Sequence, residues 1–382
     1  MAKRLKIINL ILVLTMGVTT HPHGSCIGRH NTPQSATNNI PIVITIDNNY
    51  VWPAIVSMTS MLENAKETTS YHIHVLISGD FLEENKQKLL SLKSAYKNCD
   101  ISFFDMGNEF DNFQPDNGVT IDWITKVVFY RLRVPSVLSN IQKCIYLDTD
   151  TLIREDLSEL YDIDVSDYYV AGVADGMRWR GHNHTRIKSY FSAIGLPDAK
   201  HYINAGILLM NLKEMRKNNL EKRFAEFVDI KVNKEKIAAY ADQDAINVVC
   251  YDKILDLPIK YNVMLSCIDF ITPYKKNGYA KLCQSEEEWE KGIKNPVVMH
   301  YALQNKPWKN FCPHMVDWWE HAAKTAFVKE IIKTYKSELE KNCKKFRNSR
   351  QVRALKRFFS DQKKSAKKQK NQVRYSVLLT KS

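Results

Sequence analysis

Lys143-Cys144-Ile145-Tyr146-Leu147-Asp148-Thr149-Asp150-Thr151-Leu152-Ile153 is a short apolar run that ends in two carboxylates two residues apart. A run of this length between polar neighbours suits a strand buried on both faces. In open α/β sheets ligands bind beyond the carboxyl ends of such strands, where Asp148 and Asp150 stand. An extended chain points both side chains to one side. Two carboxylates so placed repel unless a cation lies between them, and a hard divalent ion with oxygen ligands suits that position. The bland alternative for Asp-x-Asp after a strand is a turn with solvated caps.

Outward from that stretch the chain alternates. Strands are predicted over Ile42–Ile46, Tyr71–Ile77, Asp100–Phe104, Tyr169–Ala174 and Ile203–Met210. Helices are predicted over Pro53–Glu63, Glu83–Ala95 and Trp123–Leu132. Alternation of this kind predicts an α/β fold with a largely parallel, doubly wound sheet. Neither a Gly-x-Gly-x-x-Gly nor a Walker loop follows the first strand, which argues against a dinucleotide-binding or P-loop protein.

Three more stretches carry polar groups into apolar settings. Asn204-Ala205-Gly206 opens an apolar strand, and its small residues let a ligand approach the backbone. Asp242-Gln243-Asp244 precedes a helical run, where capping accounts for Asp244 but not for Gln243. Val297-Val298-Met299-His300 delivers a histidine at a strand end, with Lys306 close behind. An imidazole can ligate an ion and an ammonium can meet phosphate oxygens.

In this order the four motifs resemble glycosyltransferase family 8, the retaining sugar-nucleotide transferases that include lipopolysaccharide galactosyl- and glucosyltransferases. Arg131 ahead of Leu-Asp-Thr-Asp and the His-x5-Lys-Pro-Trp ending at Trp308 add to the likeness, which spans about Ile42 to Phe327. The resemblance implies a GT-A fold, a UDP-sugar donor, and Mn2+ with Mg2+ as substitute. It implies that Asp148 and Asp150, with Thr149 between them, bridge metal and diphosphate, with His300 as third protein ligand and Lys306 on the phosphates. It implies Asp47, Asn49 and Tyr50 at the uridine, and Arg131, Asp175, Asn204, Ala205 and Gly206 around ribose and sugar. Asp242 and Gln243 would face the anomeric carbon. Gln243 is a poor nucleophile, so front-side attack by the acceptor hydroxyl is the expected route to retention. One position departs from the family pattern, which has Gly three residues after the metal His where Leu303 stands here.

Two rivals share parts of the pattern. Asp148-Thr149-Asp150-Thr151 fits the Asp-x-Asp-x-Thr of haloacid-dehalogenase phosphatases, whose first Asp is a nucleophile. That motif normally sits on the first strand, whereas several strands precede it here. The Leu303 departure also admits an inactive sugar-nucleotide binder.

Charge locates the appendages. The chain's net charge is +13, and residues 341–382 alone, with fifteen Lys/Arg and the single acid Asp361, carry +14. The near-neutral body argues against a dedicated nucleic-acid protein. Bases interleaved with Phe346, Leu355, Phe358 and Phe359 predict contact with an anionic membrane surface, beside a glycan or glycolipid acceptor. Residues 1–39 read as a signal-like or anchor segment and linker, with Lys3, Arg4 and Lys6 before an apolar stretch too short for a full span. The expected division is therefore 1–39, a GT-A domain over 40–312, a helical extension over 313–340 and a basic tail over 341–382. The expected placement is the cytoplasmic face of a membrane, and the N-terminal segment leaves a secretory or periplasmic one open. Eight cysteines without a Cys-x-x-Cys pair form neither a zinc knuckle nor a disulfide scaffold.

Overall fold

The apolar β-branched run at the start of the body forms β1, Asn38–Ile46, and every later strand is placed by reference to it. A computed structural model describes residues 38–110, 126–265, 280–283, 285–362 and 364. The anchor-like segment 1–26 and the tail beyond 364 lie outside the described residues. Among the described residues no helix is long and apolar enough to cross a membrane.

The larger sheet has seven strands in the order β3-β2-β1-β4-β7-β6-β8. They are β2 Thr69–Ile77, β3 Cys99–Asp105, β4 Cys144–Leu147, β6 Val170–Ala174, β7 Ile203–Met210 and β8 Ile254–Asp256. The first half is parallel as expected, while β7 runs antiparallel to both β4 and β6. A smaller sheet, β5-β10-β9, comprises β5 Thr151–Ile153, β10 Val298–His300 and β9 Val263–Met264. The Asp148-Thr149-Asp150 turn is thus the point at which the chain leaves the large sheet and enters the small one.

The helices Val51–Glu63 and Glu83–Ala95 form where helical spacing placed them. The helix expected over Trp123–Leu132 is instead a 3-10 segment, Lys126–Arg133, with its first predicted residues outside the described set. Val127, Phe129, Tyr130 and Leu132 are all buried, so no solvated face remains to set an α period.

The apolar residues of the C-terminal segment pack within the protein. A helix spans 350–362, after Val328–Asn342 and a 3-10 turn at Lys344–Phe346, and Val352, Leu355 and Phe359 belong to the main core. Phe359 packs edge-on against Trp319 with ring centroids 4.9 Å apart, and Phe346 stacks on Phe311. The apolar side chains assigned to a lipid surface are therefore in contact with protein. Arg350, Arg353, Lys356 and Arg357 occupy the exposed side of the same helix.

His74 on β2 is buried, and neither ring nitrogen has a hydrogen-bond partner among the described residues. Burial, aided by the charge of His72 and opposed by Asp100, brings its pKa down to about 4. The fold therefore binds fewer protons than the unfolded chain, and stability is lost as pH falls from about 6.5 towards 4. After allowance for partial solvation, we expect His74→Leu to remove about 1–2 kcal/mol of that acid sensitivity. Urea midpoints at pH 7.5 and 5.0 that shift equally in both proteins would defeat this expectation.

Candidate active site

Three strand pairings assemble the site. Pairing of β4 with β7 sets Leu147 against Ile207, and the Asp148 amide donates to the Gly206 carbonyl at 2.7 Å. Pairing of β10 with β5 sets His300 against Thr151, and the Tyr301 amide donates to the Asp150 carbonyl at 2.9 Å. Pairing of β10 with β9 brings the segment before β9 behind His300. Two carboxylates and an imidazole distant in sequence thus share one sheet junction.

His300 Nε2 lies 3.2 Å from Asp150 Oδ1 and 3.8 Å from Asp148 Oδ2. One ligand atom from each of the three residues falls within 4.8 Å of the others. Gly206 closes the cradle, since a Cβ there would collide with the His300 ring and stand 2.9 Å from Asp148 Oδ2 and 3.0 Å from Asn204 Oδ1. Two hard oxygens and one imidazole around a space that a methyl group would fill are a donor set for a divalent cation.

Cations of the chain itself flank that set. Lys306 Nζ donates to Asp150 Oδ2 and to the Tyr301 carbonyl. Burial opposes ionisation of Asp150, but the Lys306 ammonium outweighs it and holds the carboxyl well below the usual range. Arg131, also buried, donates to Asp148 Oδ1 at 2.9 Å and to the Ala205 carbonyl at 2.6 Å, and pairs with Asp242 at 3.1 Å. Its guanidinium lies over the Tyr146 ring at 4.4 Å, and Tyr146 OH donates to the same Asp148 oxygen. Burial pushes Asp242 up to about 6, with Arg131 opposing.

Beneath these lies an amide network. Gln243 Oε1 accepts from the Ala205 amide and from Asn204 Nδ2, each at 3.1 Å. Asn204 Nδ2 also donates to Asp175 Oδ2 at 3.2 Å, and Asp175 caps its own helix through the Met177 amide. Asp244 does more than cap. It is fully buried, it accepts from Tyr202 OH at 2.6 Å, and burial raises it to about 6.

The cleft above the junction is lined by Asp47, Tyr50, Val128, Arg131, Asp148, Thr149, Asp150 and Lys306, among others. Asn49 is exposed and does not line it; its amide donates to Asp47. Sequence reasoning missed Tyr146, Tyr202, Asn247 and Asn262. All are buried, and they stand in or beside stretches that read as core.

Residues 41–312 match the family description "Glycosyl transferase family 8". The chain belongs to glycosyl transferase family 8. It is 31% identical over 276 residues to a putative glycosyltransferase of Haemophilus influenzae, covering 72% of this chain and 74% of that one. It is 24% identical to a lipopolysaccharide 1,2-glucosyltransferase of Escherichia coli, over 70% of this chain and 72% of the relative. The solved galactosyltransferase LgtC, in complex with donor and acceptor sugar analogs, superposes with a TM-score of 0.62 at 26% identity. That match covers 75% of this chain and 96% of LgtC. The bifunctional WbbM structure gives a TM-score of 0.64 at 24% identity, and this chain spans about half of its length, 51%. The fold is GT-A. This family 8 assignment displaces the phosphatase reading, and the site agrees, because Asp148 is held by Arg131 and Tyr146 instead of standing free as a nucleophile.

Leu303 adopts the left-handed conformation, φ +66°, on the loop between His300 and Lys306, and is half exposed. A side chain there costs about 1–2 kcal/mol that glycine avoids. We expect Leu303→Gly to raise the melting temperature by about 1–3 °C. Leu303→Ala keeps the Cβ and should not raise it; equal melting temperatures for Gly and Ala variants would show that the loop carries no such strain.

Proposed function

We propose that this glycosyltransferase is a retaining, UDP-sugar-dependent hexosyltransferase that moves glucose or galactose to a glycan or lipid-linked acceptor such as lipopolysaccharide core. The observation that carries the reading is the convergence of Asp148, Asp150 and His300, beside a cleft that Asp148, Asp150 and Lys306 line. Those three residues would hold Mn2+, or Mg2+ in its place, and the ion would neutralise charge growing on a leaving diphosphate. Lys306 binds the β-phosphate oxygens, and Arg131 holds Asp148 in place through its guanidinium. Asp47 and Tyr50, with Asn49 beside them, lie at the uridine. Tyr50 is buttressed edge-on by Trp308, with centroids 6.1 Å apart. Thr149, Asp175, Asn204, Ala205 and Gly206 shape the sugar subsite.

Gln243 and Asp242 lie beneath that subsite. Gln243 Oε1 already accepts two hydrogen bonds, which favours attack by the acceptor hydroxyl on the departing face over attack by the amide. Names of relatives support the hexose and the lipopolysaccharide-type acceptor. The exposed bases of helix 350–362 support approach to an anionic membrane, on the cytoplasmic side.

The test is a panel of UDP-sugars with Mn2+, Mg2+ or chelator, scored for UDP release. Metal-dependent release with one UDP-hexose is the expected result. UDP binding without release from any donor would instead favour the inactive binder that Leu303 suggested.

A further inference from the structure

We propose that Asn262 sets the tautomer of His300, so that Nε2 presents a lone pair to the aspartate pair; the role assigned to that lone pair rests on the metal reading above. Asn262 is fully buried between the 3-10 turn Ile259–Tyr261 and β9, directly behind His300.

The assignment follows from donors that cannot be reversed. The Gly206 amide can only donate, and it meets the Asn204 side chain at 3.0 Å, so that atom is the Asn204 oxygen. The same oxygen faces Asn262 at 2.9 Å, so the Asn262 atom turned to it must be its nitrogen. The remaining Asn262 atom is then an oxygen, an acceptor only, and it lies 3.0 Å from His300 Nδ1. The proton is therefore on Nδ1. In neutral imidazole this leaves Nε2 bare, 3.2 Å from Asp150 Oδ1.

Local electrostatics alone would choose otherwise. Two carboxylates beside Nε2 favour a proton there, donated to Asp150, and that tautomer cannot ligate a cation. Asn262 works against this tendency. A ligating histidine usually gives its second N–H to a carbonyl or carboxylate. Here an amide oxygen fills that role, and its orientation is fixed through Asn204 by a backbone N–H of the sugar subsite. Asn262 is a positioning residue, since it reaches the site only through His300 and Asn204.

The test uses the full-length protein labelled with 15N-histidine at pH 8, with His300→Gln to assign the ring signals. Mn2+ alone is titrated calorimetrically in parallel. Asn262→Leu removes the acceptor, while Asn262→Asp keeps an acceptor for Nδ1, loses the bond to Asn204 Oδ1 and adds a negative charge. We expect protonated Nδ1 in the wild type and the Asp variant, and protonated Nε2 in the Leu variant. Mn2+ affinity should fall about 10–100-fold in the Leu variant and stay within about threefold in the Asp variant. Retention of Nδ1–H in Asn262→Leu, or equal loss of affinity in both variants, would overturn the proposal. A wild type that fails to bind Mn2+ while Asn262→Leu still switches tautomer would defeat the metal reading and leave the tautomer assignment standing.

Discussion

Asp150→Asn is expected to lower kcat/KM for sugar transfer about 1000-fold or more, equivalent to about 4 kcal/mol of lost transition-state stabilisation. Asp150 is the point of closest convergence, touching His300 through one carboxylate oxygen and Lys306 through the other. An amide keeps the shape but removes the charge that would draw a cation between the carboxylates. It also removes the counter-charge of the buried Lys306 ammonium, which keeps the Tyr301 carbonyl as an acceptor. Breaking a buried pair from one side costs about 3–5 kcal/mol, so a lower melting temperature should accompany the loss of activity. Asp150→Asn/Lys306→Met removes both charges and should recover most of that stability without recovering activity. Calorimetry then separates folding from function. Asp150→Asn that still binds UDP with an affinity dependent on Mn2+ would remove the basis of the proposed mechanism.

Ending the chain at Glu340 should leave it insoluble or barely folded, whereas ending it at Lys364 should leave its stability unchanged. The shorter form loses Val352, Leu355 and Phe359 and uncovers Trp319. Each of those apolar side chains contributes about 1.5–3 kcal/mol by burial, against a total stability of about 5–15 kcal/mol. The longer form loses only Lys367, Lys368, Lys370, Arg374 and Lys381 among the charged residues. Each base near an anionic surface contributes about 1 kcal/mol, so this form should sediment less with anionic liposomes while still releasing UDP. Urea melts and liposome co-sedimentation check the two halves separately. A form ending at Glu340 with the full-length midpoint would show that helix 350–362 adds nothing to the core. Undiminished sedimentation of the form ending at Lys364 would place membrane contact elsewhere.

Much of this molecule was legible in order along the chain. Apolar runs marked the strands, Asp148 and Asp150 stood at a strand end, and each further motif adjoined an apolar run of its own. The antiparallel entry of β7 was not legible, because periodicity reports which face is buried and not which neighbour pairs with it. The 3-10 form of Lys126–Arg133 was hidden for a related reason, since a segment buried nearly all round shows no clean period.

By itself, then, the sequence determined the strand-and-helix alternation, the residue types needed around a cation, and a basic C-terminal tail with apolar residues set among its bases. Tertiary structure alone decided that β10 pairs with β5, which brings Lys306 to Asp150 across 156 positions. It alone decided that the apolar face of helix 350–362 meets Trp319, because an amphipathic pattern reads the same against lipid as against protein. It alone revealed Asn262, whose importance lies in two hydrogen bonds to residues 38 and 58 positions away. Local sequence encodes which groups a residue carries, but which groups they meet depends on packing between distant segments.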